Sequence, residues 1–363
     1  MPWDALTPYD DLPDLPPPGE LESKSVLKLV IEARAALARL DQATALIPNP
    51  TVLLNTIPLL EAQASSEIEN IVTTEDDLFR YAQNEGVGSD PATKETLRYR
   101  TALYQGIADV RSRALTANTA AKVCSVIKQR DMGVRRLSGT RIANPTSGEV
   151  IYAPPEGHDL LLAKLSNWER FVHGAAELDP LVRMAVAHYQ FEAIHPFDDG
   201  NGRTGRILNI LMLMEAGLLS HPVLYLSRYI IKNKNDYYRL LRGVTADGSW
   251  EPWVQYLVSG VRVTADSATR KITAIRDLQR DVTERIRPIT GAGRNAEFRD
   301  VMFEQPYVRI QTVMAACDVS RPTAAGWLNA VVAQGVLHDL RVGRDRLFVN
   351  PRFLDLLVRD EPE

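Results

Sequence analysis

The sequence predicts a mainly α protein with one β-hairpin near its middle and a small mixed module at its end. Three observations predict it. Apolar residues recur at intervals of three and four through most of the chain, the spacing of one helix face. Before the C-terminal region, only residues 134–155 alternate in the manner of strands around a Pro/Gly turn. After Pro288, the breakers Gly291, Ala292 and Gly293 open a final segment in which two short helical stretches precede two β-like ones.

Taken in order, a Pro-rich, acidic arm runs from Met1 to about Gly19, and helical spacing follows through Val26–Leu46 and again through Leu53–Leu78. A polar stretch, Gln83–Pro91, interrupts before further helical patterns at Lys94–Arg113 and Ala120–Gln129. Arg135–Ile142 and Val150–Tyr152 flank Asn144-Pro145-Thr146-Ser147-Gly148, which reads as a hairpin with a loose turn. Helix resumes from Leu160 to Tyr256. Within it Leu181–Ala193 carries only Arg183 and Glu192 as charges and is apolar on more than one face, which marks a central helix. A charged helical segment, Asp266–Arg287, leads to the breakers. The domain reading is therefore residues 1–100, 101–262, a linker helix 263–290, and 291–363.

At 363 residues and 45% hydrophobic composition the chain can bury a large core. Its formal charge of −4 gives no general field for nucleic acid or anionic lipid, so any such partner has to meet a local patch. Cys124 and Cys317 sit far apart in apolar helical contexts, which predicts unpaired buried thiols in a reducing compartment, the cytoplasm. The N-terminus lacks the basic and apolar regions of a secretory signal. The longest apolar run, Ile207–Met214, is far shorter than the roughly 20 residues that span a bilayer, so no membrane segment is expected.

The chemistry is concentrated in twelve residues, His195-Pro196-Phe197-Asp198-Asp199-Gly200-Asn201-Gly202-Arg203-Thr204-Gly205-Arg206, between two apolar helices. Gly200 and Gly202 allow successive N–H groups to turn inward as an anion nest, and the loop feeds the N-terminus of the helix Arg203–Glu215, whose dipole favours the same anion. Phosphate is the natural occupant. Arg203 and Arg206, three apart, share a helix face and can reach a polyphosphate. Asp199 supplies the oxygen ligand that Mg²⁺ shares with phosphate and water, and Asn201 can donate to a phosphoryl oxygen. His195 alone in the loop titrates near neutrality, which suits it to take a proton from a hydroxyl, and Phe197 reads as an apolar peg. An EF-hand reading of 199–210 fails because Arg203 and Ile210 would fall at ligand positions. A Walker P-loop fails because no Gly-Lys-Ser or Gly-Lys-Thr triplet occurs. The other histidines, His158, His173, His188, His221 and His338, read as structural.

These residues match, position for position, the signature of the Fic family: His, any, Phe, any, Asp or Glu, Gly, Asn, Gly, Arg, two more, Arg. The chain thus resembles Fic protein adenylyltransferases, which implies a helical Fic core with a hairpin flap. It also implies ATP as substrate, Mg²⁺ held by Asp199, His195 as general base, Asn201 and Arg203 at the α- and β-phosphates, and Arg206 at the γ-phosphate. The Doc-like kinase branch carries lysine at the position of Gly202, so the resemblance implies AMP rather than phosphate transfer. The hairpin at 135–155 falls where the family has a flap that takes an extended target segment by strand addition and presents its Tyr, Ser or Thr hydroxyl. Tyr225, Tyr237, Tyr238, Trp250 and Trp253 resemble the family's tail helices, with Tyr237 and Tyr238 as the adenine-side candidates.

Ser65, Glu69 and Asn70 fit the family's inhibitory pattern, Ser or Thr, three residues, Glu, then Gly or Asn. A glutamate paired with Arg206 would remove the arginine meant for the γ-phosphate and place negative charge in its seat. At the C-terminus, Ile310–Ala316, a turn at Asp318–Pro322, a helix Thr323–Gln334 and β-like Val336–Val349 resemble a winged helix. Arg321, Arg341, Arg344 and Arg346 offer phosphate-backbone contacts for DNA there, diluted by Asp318, Asp339 and Asp345. Self-modification and a homodimer are further partners the resemblance allows. Two alternatives stand beside AMP transfer: removal of AMP from modified proteins, with Glu69 orienting a water, and a DNA-binding regulator with a nucleotide-sensing Fic core.

Overall fold

The computed structural model describes residues 3–47, 49–82, 89–143, 148–289, 291–342 and 345–359. Helices α1 (Lys24–Ala45), α2 (Thr51–Ile68), α3 (Glu75–Tyr81), α4 (Pro91–Ser112) and α5 (Ala117–Lys128) come first. The hairpin β1 (Ile142–Ala143) and β2 (Val150–Tyr152) precedes α6 (His158–Gly174), α7 (Pro180–Ile194), α8 (Asn201–Glu215), α9 (Leu226–Lys232), α10 (Lys234–Asp247) and α11 (Trp250–Ile286). The C-terminal part holds α12 (Ala296–Glu304), β3 (Tyr307–Arg309), α13 (Ile310–Cys317), α14 (Arg321–Ala333), β4 (His338–Val342), β5 (Asp345–Val349) and α15 (Pro351–Val358). The fold is mainly α, with one small hairpin in the core.

Local chemistry accounts for the helix starts. Ser23, Thr74, Asp90, Thr116 and Asp179 each accept from a first-turn amide of the helix they precede, and Pro91 and Pro180 take first-turn positions where no N–H is needed. Side chains of α1 bury at Val26, Val30, Ala33, Leu37 and Leu40, alternating steps of four and three, and the stripe lies along α11. Nearly every residue of α7 and α8 is buried, so these two helices form the centre and their connection is the 195–200 loop.

Four sequence expectations change. The single helix expected over 53–78 is two, because Asn70 takes the left-handed region (φ 61°) and Ile71 turns its N–H back to Ser66 O at 3.0 Å, ending α2 before Thr74 caps α3. Glu69 is thereby left at the C-cap of α2, free of helical geometry beyond it. The strand expected over 135–142 narrows to Ile142–Ala143, since the backbone N–H of Arg135 is committed to Pro196 O at 2.9 Å and cannot join a ladder. The division at 262/263 falls inside the unbroken α11. Cys124 is buried as expected but Cys317 is only half-buried, because α13 is largely exposed, and both are free thiols. The hairpin turn at 144–147 and residues 83–88 lie outside the described residues.

The position of α2 is set by a buried carboxylate. Glu61, 1% exposed, accepts from Ser227 N at 2.9 Å, Ser227 Oγ at 2.5 Å and Tyr99 OH at 3.1 Å. An acid at the first turn of α9 meets free amides and the positive end of the helix, while burial pushes the Glu61 carboxyl upward against those bonds. Glu61→Ala leaves buried donors unpaired, and we expect a loss of about 3 kcal/mol, read by denaturant unfolding.

In the C-terminal part, β5 lies between β3 and β4 in an antiparallel sheet, and α13, a turn and α14 precede the β4–β5 hairpin. The helix, turn, helix and hairpin follow in the order read from the sequence, whereas α12, β3 and α15 are not part of that reading. Arg346 is held by Asp339 at 2.7 Å and by Asn329 at 2.6 Å, so one of the four arginines offered to DNA is already engaged, and Arg344 lies outside the described residues.

Candidate active site

The loop between α7 and α8 is built by backbone conformation as much as by side chains. His195 ends α7 in the left-handed region (φ 49°), and Gly200 precedes α8 with φ 83°. A non-glycine residue at positive φ costs roughly 1–2 kcal/mol, and such strain is concentrated where function fixes the geometry. Phe197 is 1% exposed and packs its ring against Phe191, with centroids 6.2 Å apart, as the peg expected of it. Asn201 clasps the loop, accepting from Phe197 N and donating to Phe197 O, both at 2.8 Å. Its carboxamide was expected at a phosphate, and in the structure it holds the loop shut instead.

No side chain caps α8, so its first-turn amides are open toward the loop. The carboxylate of Glu69 lies directly over this turn: a Cβ built on Gly202 would stand 2.3 Å from Glu69 Oε1. Arg206, 3% exposed, donates Nε to Ser65 Oγ at 2.7 Å, and its terminal nitrogen to Ser65 O at 2.9 Å and Glu69 Oε1 at 2.8 Å. Ser65 and Glu69 are one turn apart on α2, so one helix face grips the arginine twice. Burial opposes the charge on Glu69, but Arg206 outweighs it and keeps its carboxyl below the usual range. The same pairing lifts Arg206 above its ordinary range against its own burial. Asn70 contributes the left-handed turn that places Glu69 here, not a contact to the arginine.

Arg203 points elsewhere. It is 2% exposed and donates to Glu95 Oε1 of α4 at 2.7 Å, while Lys128, the last residue of α5, reaches Glu95 at 3.2 Å and Asp199 at 2.5 Å. The two arginines therefore start from neighbouring turns of α8 but end on different helices. Burial works against Asp199, yet Lys128 and Arg203 hold its carboxyl below the usual range. Its side chain is 53% exposed, and among the described residues no group of three or more His, Cys, Asp and Glu gathers as a metal site. A carboxylate with an open face beside an anion seat fits Mg²⁺ that takes its remaining ligands from phosphate and water.

Burial and the nearby Arg135 push the His195 ring down to about 4, against Glu69, Asp199 and the Glu192 carbonyl, so the ring is neutral at physiological pH. Behind the loop, Glu192 is pushed up to about 7 by burial, and its Oε1 has no hydrogen-bond partner among the described residues. Tyr237 does not line an open space: it is 2% exposed, bonded to His188 at 2.9 Å and packed against Trp253, whose own ring stacks on His188. Both tyrosines lie in the field of Glu69 and Arg206, but Tyr238 is 38% exposed, so of the adenine-side pair it is the one with a solvent-facing surface. Glu95, Lys128, Arg135 and Glu192 are site residues that the sequence reading missed. Each lies outside the loop motif, and only the fold brings it in.

Residues 125–213 match the Fic/DOC family, 27–108 the Fic/DOC family N-terminal region, and 278–353 the C-terminal domain of SoFic-like protein adenylyltransferases. The chain belongs to the Fic family. Among curated Fic relatives, the protein adenylyltransferase Fic of Drosophila yakuba is 33% identical over 117 residues, 32% of this chain and 22% of the relative. The Drosophila melanogaster protein of the same name is 32% identical over the same shares. The match thus spans about a fifth of the length of these relatives. A Fic family protein from Desulfovibrio desulfuricans superposes with a TM-score of 0.56 at 21% identity, covering 92% of this chain and 98% of that one. A Fic domain containing signaling protein from Bacteroides thetaiotaomicron gives 0.50 at 20% identity, covering 67% of this chain and 98% of that one. At such identities the two structures speak for the Fic fold alone.

Proposed function

We propose that this Fic protein transfers AMP from ATP to a Tyr, Ser or Thr hydroxyl of a protein, and that Glu69 restrains it. The reading is carried by one observation: a neutral histidine stands at the end of α7 while the anion seat at the start of α8 holds a carboxylate of the same chain. A base that is unprotonated at neutral pH, beside a seat built for phosphate, suits attack by a hydroxyl on phosphorus. His195 takes the hydroxyl proton, the new O–P bond forms at the α-phosphorus, and the bond to the β-phosphate oxygen breaks to release pyrophosphate. Arg203 and Arg206 balance the charge on the phosphates once they exchange their carboxylate partners for phosphate. Mg²⁺, held by Asp199, would neutralise phosphate charge. Gly202 leaves room for the nucleotide, and the flap 135–155 presents the target strand or a segment of the protein itself.

A second reading, removal of AMP from a modified protein, draws support from the ionised Glu69 beside His195, since an anionic carboxylate can orient a water. The test compares label transferred from ATP by wild type, Glu69→Gly, and Glu69→Gly with His195→Ala. Label appearing only in Glu69→Gly supports the transfer reading, whereas AMP released from a modified substrate by wild type, with no transfer in any variant, would sink it.

A further inference from the structure

We propose that Arg135 is a positioning residue that locks the flap base to the backbone of His195, so that a hydroxyl presented along the flap and the ring that deprotonates it keep one register. The inference rests on the AMP-transfer reading above and goes beyond it in assigning a residue outside the Fic loop.

Arg135 sits at the start of the segment leading into the flap and is 2% exposed. Its backbone N–H donates to Pro196 O at 2.9 Å and its Nε to His195 O at 2.9 Å. One terminal nitrogen reaches Pro155 O, where the chain returns from β2, and Ile194 O at 3.5 Å. From the other side, His158 Nδ1 of α6 faces the carbonyl of Arg135 at 3.3 Å. The flap entrance, the flap exit, the end of α7 and the loop therefore converge on one guanidinium.

Physical chemistry explains why this position calls for arginine. The last carbonyls of α7 have no intrahelical donors, and the left-handed turn at His195 points them away from any continuing helix. A planar fork with five N–H groups can satisfy several such carbonyls at once, whereas an ammonium is a single point of contact. The side-chain hydrogen bonds of Arg135 go to carbonyl oxygens, and its charge is met at longer range by Glu156, Asp198 and Asp10. Tyr152 adds a second tie between flap and α7, its hydroxyl donating to Ala193 O at 2.9 Å. The residue is thus a strut between two parts that the reaction must hold within a fraction of an ångström.

The charge has a further effect on the base. The groups facing His195 are Arg135 from the flap entrance, Glu69 from α2, Asp199 from its own loop and the Glu192 carbonyl from α7. Burial and Arg135 disfavour the charged ring while the other groups favour it, so removing Arg135 takes away the lesser of the two depressing causes and moves the titration of His195 upward from about 4.

The test uses the full chain carrying Glu69→Gly, with Arg135→Gln and Arg135→Lys added separately. For Arg135→Gln we expect kcat to fall on the order of 10- to 100-fold, ATP affinity by calorimetry to stay unchanged, and the acid limb of the kcat profile to move to higher pH. Histidine NMR should show the same upward shift of His195. Arg135→Lys should keep the His195 titration low yet lose rate, which separates charge from geometry. The ring titration needs no turnover, so it reports on the Arg135 contact even if AMP transfer fails. An unchanged kcat in Arg135→Gln, or a loss confined to ATP binding, overturns the proposal. If neither variant folds, the parent protein still decides: an Arg135 Nε–H that exchanges with solvent as fast as that of a free arginine, read by NMR, is incompatible with the contacts to His195 O and Pro155 O.

Discussion

Glu69→Gly is expected to raise the rate of AMP transfer about 10- to 100-fold, the scale of a coupling of roughly 1–3 kcal/mol between two sites. Glu69 supplies one of three hydrogen bonds to Arg206 and is the only carboxylate at hydrogen-bond distance from it among the described residues, and its oxygen overlies the start of α8. Removing the side chain frees the seat while Ser65 still aims the guanidinium. Glu69→Gln is the informative control, since it keeps the volume but removes the charge; it should fall between wild type and glycine. The cost appears in the ligand-free protein, where a buried Arg206 has lost its anionic partner. Thermal unfolding should therefore drop in Glu69→Gly, with ATP restoring more stability to the variant than to wild type. A variant with unchanged rate and unchanged ATP response would leave Glu69 a structural ion-pair partner only.

His195→Ala in the Glu69→Gly background is expected to lower transfer by about 10²–10⁴-fold, the usual worth of a positioned general base, with ATP binding intact. The phosphate seat consists of α8 amides and two arginines, none of which depends on the imidazole. Backbone geometry gives a second, independent readout. Because residue 195 sits at φ 49°, glycine should tolerate the position better than alanine, so His195→Gly should be more stable than His195→Ala by about 1 kcal/mol while equally inactive. Full activity in either variant would require another base. Glu192, pushed up to about 7 by burial, would then be the residue to examine.

The parts of this site legible in the sequence were those written in short, contiguous runs. The His195–Arg206 loop carries its glycines, carboxylates and arginines within one turn-and-helix segment, and Ser65 and Glu69 lie one helical turn apart, so local spacing was enough to read both. What could not be read were contacts made by tertiary packing. Glu95 looks like any charge on a helix, yet α4 delivers it to Arg203 across 108 residues. Arg135 looks like a strand residue, and its real partners are carbonyls some 60 residues away. By residue type Asn201 suits a phosphate, but its carboxamide is bonded to both backbone groups of Phe197, a contact that residue type does not reveal. Aromatic spacing in the tail helices does not distinguish a nucleotide wall from a core, and Tyr237 is buried in the core with its hydroxyl bonded to His188 Nε2. The break after α2 had a signal in Asn70 followed by Thr73-Thr74-Glu75, a C-cap residue and an N-cap in succession, which apolar periodicity alone overrode.

The grip of Ser65 and Glu69 on Arg206 lies within a single chain, across 141 and 137 residues of sequence. A tether of that kind presents the carboxylate to the arginine at a fixed effective concentration that mixing and volume do not alter. Restraint should then be first-order in protein: diluting the enzyme a thousandfold leaves its fractional activity per molecule constant. On the reading proposed above, what relieves it is whatever competes for the arginine, so the concentration of ATP, rather than the abundance of the protein, would set how much of it is active.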